Sequence, residues 1–204
     1  MTQEPRFVCT TAYANKQAEL LRSYKSEKED TIKCTIVQAA RATSAAPLFF
    51  DPIKINGVKY SDGGLRNNTP IRAVRTELRA EFPDRPVGCI ISIGTGVHCT
   101  QSLGKSLVAI AKSCAAIAHD VEAAHREFKS NECGAQGPFR GKYFRFNVDQ
   151  GLQDIKLHEW QKLGEIESNT RHYLKNNDNE VEKCIECLLH CDEVEEKKLS
   201  IEAK

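Results

Sequence analysis

The sequence predicts an α/β fold, and three observations carry that prediction. β-rich runs alternate with helical stretches along the 204 residues, the pattern of strands and helices packed in layers. Asn56-Gly57, set between Ile53-Lys54-Ile55 and Val58-Lys59-Tyr60, is a strong hairpin signal because both turn residues tolerate positive φ. Val87-Gly88-Cys89-Ile90-Ile91-Ser92-Ile93 is nearly continuously apolar, as expected of a strand covered on both faces in a parallel sheet.

The elements follow in order. Phe7-Val8-Cys9-Thr10-Thr11 is β-rich and begins without an upstream turn or cap, so the chain is expected to start inside a fold. A charged loop around Ser26 to Asp30 leads to a helix over Thr35 to Ser44, which ends ahead of Pro47 because the residue before proline is pushed out of the α region. Ala39, Ala40, Ala42, Ala45 and Ala46 allow close packing there. The hairpin then delivers Asp62 at the end of its second strand. Thr69 as N-cap and Pro70 at the first helical position predict a helix to about Glu81, stopped before Pro83. After the apolar strand come a helix from about Leu103 to Phe128, a Gly-rich loop over Gly134 to Gly141 and an alternating strand from Tyr143 to Val148. Helices are expected from Ile155 to about Tyr173 and from about Glu180 to Leu199. The domain expectation is one folded unit over 1–173 with a helical tail over 174–204.

Composition narrows the function classes. A content of 40% hydrophobic and 28% charged residues is ordinary for a globular chain, which argues against wholesale disorder. Lys and Arg number 29 against 28 Asp and Glu, a net charge of +1, so nothing draws the protein to nucleic acid or another polyanion. The cysteine count is nine, an odd number, and a polar N-terminus replaces a secretory core; the expected compartment is reducing and cytoplasmic. The apolar stretch from Leu107 to Ala118 is interrupted by Lys112 and Ser113 and falls well short of the roughly 20 residues of a membrane span. Contact with a membrane surface would be peripheral.

The residues that point to chemistry are Asp62, Gly63 and Gly64. A carboxylate at a strand end, partly removed from water, is a better base than a solvated one. Glycines behind it open backbone angles closed to other residues and let a second element come close. The structural alternative is a tight turn with a structural Asp, since these residue types dominate turns.

Neighbouring motifs tip the balance. Ala40-Arg41-Ala42-Thr43-Ser44-Ala45-Ala46-Pro47, Asp62-Gly63-Gly64, Asn68-Thr69-Pro70 and Ser92-Ile93-Gly94-Thr95-Gly96, in this order and spacing, resemble the second half of patatin-like phospholipases, over roughly Phe7 to Tyr173. The resemblance implies a partial three-layer α/β/α domain with a largely parallel sheet, followed by C-terminal helices. It implies a lipid acyl hydrolase that pairs a serine with an aspartate and uses no histidine, with Asp62 as the proton acceptor and Asp62, Gly63 and Gly64 as its Asp-Gly-Gly motif. The implied substrate is a glycerolipid or fatty acyl ester, and no metal or organic cofactor is required.

The departures from that family matter as much. The nucleophile sits in a Gly-x-Ser-x-Gly elbow, and no serine among the 204 residues has that setting. The Gly-rich, Arg-containing segment that supplies oxyanion-hole donors is also missing, and one such donor contributes about 3 kcal/mol to transition-state stabilisation. By the resemblance both belong upstream of Phe7. Thr69 stands where the family usually has a second Asn, a change expected to leave the fold intact.

Other signals point elsewhere and are weaker. Gly94-Thr95-Gly96 follows a strand as a dinucleotide loop would, but Cys99 occupies the place of the third glycine. Cys184, Cys187, His190 and Cys191 are zinc-ligand types, yet on one helix they spread around its surface, and an amphipathic helix with Val181, Cys184, Ile185, Leu188 and Leu189 inward is preferred. His119 and His125 match no metal or triad spacing.

The expected function is therefore a patatin-like lipid acyl hydrolase fragment that keeps the dyad Asp62 and lacks the serine, inactive by itself. A separately encoded N-terminal half could complement it. The alternative is a non-catalytic remnant that binds an acyl chain or a protein through the groove around Asp62 and an open sheet edge.

Overall fold

In the computed structural model, residues 5–47, 49–97, 121–153, 155 and 159–202 are described. The stretch from Leu103 to Asp120 of the expected long helix, with His119, and Cys99 lie outside them. The class is mixed α/β. The chain divides into two compact units, one of residues 1–84 with 116–125 and one of 85–115 with 126–204.

The first unit holds a four-stranded antiparallel sheet in the order β2-β1-β4-β3. Its strands are β1 (Phe7–Ala12), β2 (Ala18–Arg22), β3 (Ile53–Ile55) and β4 (Val58–Asp62). The hairpin is where the sequence puts it: Ile53 pairs with Tyr60 and Ile55 with Val58, and Asn56 and Gly57 turn the chain at φ 50° and 87°, the two positive angles of a type I′ turn. β2 is a strand that the sequence did not announce. Ala-Glu-Leu-Leu-Arg reads as helix, but β1 offers it a full antiparallel register from Phe7↔Arg22 to Thr11↔Ala18, and tertiary pairing overrides a weak local preference.

Helix α1 (Ile36–Thr43) starts with a capping box in which the Thr35 hydroxyl accepts from the Gln38 N–H and the Gln38 side chain accepts from the Thr35 N–H, satisfying two otherwise orphaned donors. It packs on β1, β3 and β4. The alanines have the expected use: Ala42 is wholly buried and Ala45 nearly so, and Ala42 joins Ala12, Leu21, Ile55 and Tyr60 in one core cluster with Ala39 against it. A short helix α2 (Gly64–Asn67) and α3 (Ile71–Glu81) follow β4. Thr69 is not the cap of α3. Pro70 occupies that position and no side chain caps the helix, because α2 brings the chain in with Asn68 already in helical geometry. The charged loop is tied to α3, with Ser26 Oγ donating to Glu81 Oε1 at 2.7 Å.

In the second unit, β5 (Ile90–Ile93) and β6 (Tyr143–Phe146) pair in parallel from Ile90↔Tyr143 to Ile93↔Phe146. Parallel pairing among the described residues is confined to these two strands. The strand expected over 87–93 is shorter and not covered on both faces, since Ile93 is 79% exposed. Residues 121–132 form a helix, α4, which belongs to this unit from Arg126 onward and whose Phe128 ring stacks on Phe139 and tilts against Tyr143. A 3-10 turn (Trp160–Lys162), α5 (Leu163–Asn176) and α6 (Asp178–Glu202) complete the unit. The inward stripe of α6 is narrower than its hydrophobic pattern suggests. Cys184 is buried and Val181 and Cys187 are half-buried, but Ile185, Leu188 and Leu189 face outward.

Candidate active site

Asp62 is the last residue of β4, and its backbone is held from two sides. β1 lies alongside in register, Thr10 opposite Asp62 and Thr11 opposite Ser61. The two threonine hydroxyls donate across the strands, Thr10 to the Ser61 carbonyl at 2.8 Å and Thr11 to the Asp62 carbonyl at 2.9 Å. From the end of α1, the Ala45 carbonyl accepts the Asp62 N–H at 3.0 Å and the Thr43 carbonyl accepts the Gly63 N–H at 3.2 Å. Four hydrogen bonds therefore fix the main chain at the point where the carboxylate leaves it.

The carboxylate is half-buried, and its Oδ1 accepts the Gly64 N–H at 2.6 Å. Among the described residues it makes no ion pair and no second hydrogen bond. It lines a cleft of about 720 Å³ whose walls include Phe7, Val8, Cys9, Pro70 and Val74. Asp62 is the only carboxylate among the described lining residues. The motif residues Asp62, Gly63 and Gly64 thus come together on one wall of one cleft.

Of the two reasons the sequence offers for glycine at 63, the close approach of a second element holds and the unusual backbone angle does not. Its φ of −65° is open to any residue. What requires glycine is the close approach of β1: a Cβ there would stand 2.2 Å from the Cys9 carbonyl oxygen and 2.7 Å from its carbon. The obstacle is main chain, itself held by the Thr43 hydroxyl donating to the same carbonyl at 2.6 Å, so neither partner can give way cheaply. Gly63→Ala is expected to lower stability by about 3 kcal/mol, the upper end for overpacking, read as a loss of urea midpoint at unchanged slope; a midpoint within error of the parent would refute the steric account.

Sequence reasoning missed Cys9 and Asn67 as lining residues, and the Thr10–Thr11 clamp, because nothing local in β1 announces that it runs beside β4. Cys9 is the one thiol among the described lining residues. Burial pushes it up to about 11, against a hydrogen bond from Asn67 that pulls it down. That shift disfavours the thiolate, the reactive form of a cysteine. The cleft has a base with no activated nucleophile from these residues beside it.

The other sequence signals resolve into local structure. The Gly94-Thr95-Gly96 loop is held by Asn147, whose Oδ1 accepts the Gly96 N–H at 2.8 Å. Cys184 and Cys187 lie near Cys89, while the side chain of Cys191 is outside the described set. No group of three or more His, Cys, Asp or Glu among the described residues is arranged to hold a metal ion. No described helix is long and apolar enough to cross a membrane.

Comparison with known proteins agrees with the motifs. Residues 3–75 match the family model of the patatin-like phospholipases, a span that contains three of the four motifs and every described residue that lines the Asp62 cleft. The chain is 30% identical over 161 residues to calcium-independent phospholipase A2-gamma of Oryctolagus cuniculus, covering 74% of this chain and 19% of that protein. It is equally similar to the Homo sapiens protein of the same name, 30% over 161 residues with the same coverage. It is 34% identical over 88 residues to phospholipase A I of Arabidopsis thaliana, covering 43% of this chain and 6% of that protein. The chain spans about a fifth of the length of the phospholipase A2-gamma relatives, 19%. Over residues 3–75 the chain matches a patatin-like phospholipase domain, and the relatives it resembles carry phospholipase names.

Proposed function

We propose that this chain supplies the proton-accepting carboxylate of a lipid acyl hydrolase of the Ser-Asp dyad type, with Asp62 as that carboxylate. The nucleophilic serine would come from polypeptide outside these 204 residues, either a further part of the same protein or a separate N-terminal half that docks on it. The serine oxygen attacks the carbonyl of a glycerolipid or fatty acyl ester. Asp62 takes the hydroxyl proton as the bond forms and gives it to the departing alcohol as the ester bond breaks. Water then attacks the acyl-serine, Asp62 again holding the proton in transit. No step calls for a metal or organic cofactor. The enzyme would act in the cytoplasm, at membrane surfaces where its substrates lie.

One observation supports this reading above the others: the carboxylate of Asp62 opens onto a cleft of about 720 Å³ and is not consumed by an ion pair among the described residues. A structural Asp in a turn has no need of that exposure. The largely apolar lining suits an acyl chain, which distinguishes the cleft from a site for a small polar ligand.

The test is reconstitution. The 204-residue chain alone should hydrolyse neither a p-nitrophenyl fatty acyl ester nor phospholipid vesicles above the buffer rate. Co-expressed with a polypeptide that carries a Gly-x-Ser-x-Gly elbow and a glycine-rich loop of the same family, it should gain an activity that disappears when the elbow serine is replaced by Ala. Turnover by the chain alone, abolished by replacing one of its own serines, would overturn the proposal; so would an inert complex of the two parts that co-purifies and folds.

A further inference from the structure

Outside the cleft, the second unit holds a cluster of cysteines that the proposed chemistry does not use. Cys89 immediately precedes β5, and Cys184 and Cys187 sit three residues apart on α6, a spacing that puts both on one helical face. The fold brings them together across almost a hundred residues of sequence. The Cys89 side chain is within hydrogen-bonding reach of both Cys187 and Cys184, and Cys187 Sγ donates to the carbonyl of Gly88, the residue before Cys89, at 3.4 Å. Cys184 is buried beneath, while Cys89 and Cys187 are each half-buried. All three are reduced thiols.

We propose that Cys89 and Cys187 are a modification site: an oxidant of the hydroperoxide class converts them to a disulfide that ties α6 to the start of β5. The step balances with one equivalent of hydroperoxide, ROOH. The thiolate of one cysteine attacks the terminal oxygen, the S–O bond forms and the O–O bond breaks, and ROH leaves after taking up a proton. The second thiolate attacks the resulting sulfenic acid, the S–S bond forms, the S–O bond breaks and water leaves. Two sulfur atoms lose two electrons in all and the peroxide oxygens gain them.

Two features favour Cys187 over Cys184 as the partner. Cys187 is anchored to the backbone of the residue adjoining Cys89, and it is more accessible to the oxidant than the buried Cys184. Reaction should be slow, because burial together with the neighbouring thiols holds Cys89 up to about 12 and the thiolate is the reacting form. That character fits a durable cross-link better than a fast peroxide sensor.

The folded chain, treated with hydrogen peroxide at pH 8, should lose two titratable thiols at this cluster. Non-reducing peptide mapping should find the peptide containing Cys89 joined to the one containing Cys187, separable again by dithiothreitol. Cys184→Ser should leave the link in place, whereas Cys89→Ser and Cys187→Ser should each abolish it. Amide exchange in the first turns of α6 should slow about tenfold on oxidation of the parent chain and not in Cys89→Ser. The proposal fails if Cys89 remains a thiol while other cysteines are consumed, if it ends as sulfinic or sulfonic acid, if it pairs with a cysteine outside α6, or if Cys187→Ser keeps the link through Cys184. None of these readouts depends on ester hydrolysis.

Discussion

In the serine-bearing assembly, Asp62→Asn is expected to lower kcat for ester hydrolysis by roughly a thousandfold, the middle of the range for removing a general base, with the melting temperature unchanged. The two expectations belong together. The carboxamide has the shape of the carboxylate, and its oxygen can still accept the Gly64 N–H that Oδ1 accepts at 2.6 Å. The four hydrogen bonds around it, from Thr10 and Thr11 and to Ala45 and Thr43, engage main-chain atoms of residues 61 to 63 and are untouched by the change. What the amide cannot do is take a proton from an alcohol at neutral pH. KM should move little, because the apolar walls that would hold the acyl chain are the same. A variant with kcat within threefold of the parent would remove Asp62 from the reaction and leave it as a turn residue.

A large effect on stability is expected at Glu77, on the inner face of α3. Arg22 of β2 grips it with two hydrogen bonds, Nε to Oε2 at 2.7 Å and Nη2 to Oε1 at 2.6 Å, with the side chains 4% and 6% exposed. Tyr24 donates a further hydrogen bond to Oε2, and Glu29 meets the same Arg22 Nη2 at 2.8 Å from the solvent side. Glu77→Ala leaves the Arg22 guanidinium with only the solvent-side Glu29 and takes the acceptor from the half-buried Tyr24 hydroxyl, and about 3 kcal/mol should be lost. The double variant Arg22→Met, Glu77→Leu should recover most of it, since replacing a whole buried pair with apolar side chains removes the desolvation cost along with the attraction. If the double variant is as unstable as the single one, an uncompensated charge is not the cause.

The same network sets the pH dependence. Hydrogen bonding from Arg22 holds the Glu77 carboxyl below its ordinary value. A depressed folded pKa stabilises above the unfolded value of about 4.3, and that contribution is lost as pH falls through the depressed one. Burial, reinforced by the bond to Glu77, pushes the Tyr24 phenol upward. A raised folded pKa contributes in full below the unfolded value of about 10 and is lost as pH rises through the raised one. Urea midpoints should therefore fall at both ends of the pH range, and Glu77→Gln should flatten the acid limb; an acid limb identical to the parent's would assign acid sensitivity to other carboxyls.

What could be read from the sequence was local. Asn56-Gly57 specifies its own turn through two positive φ angles, and the small side chains of Ala42 and Ala45 foretell a helix that packs closely. Asp62 could be singled out because its motif is contiguous. Features that depend on distant partners could not be seen. β2 has helical composition and becomes a strand only because β1 is there to pair with it. Arg22 and Glu77 are 55 residues apart, and in the sequence each looks like one more surface charge. α6 carries a broad apolar stripe, and which part of it turns inward depends on a surface built from Gly88 and Cys89. Gly63 could be flagged as necessary, and one of the two reasons holds: its φ is ordinary, and what the fold asks for is the absence of one carbon atom opposite Cys9.

That contact has an implication for how such a protein can diversify. Position 62 is aligned by peptide groups pressed against peptide groups, with little help from the aliphatic and aromatic side chains around the opening. Phe7 and Val74 can consequently be exchanged for larger, smaller or more polar residues, reshaping which molecules are admitted, while the acid keeps its aim.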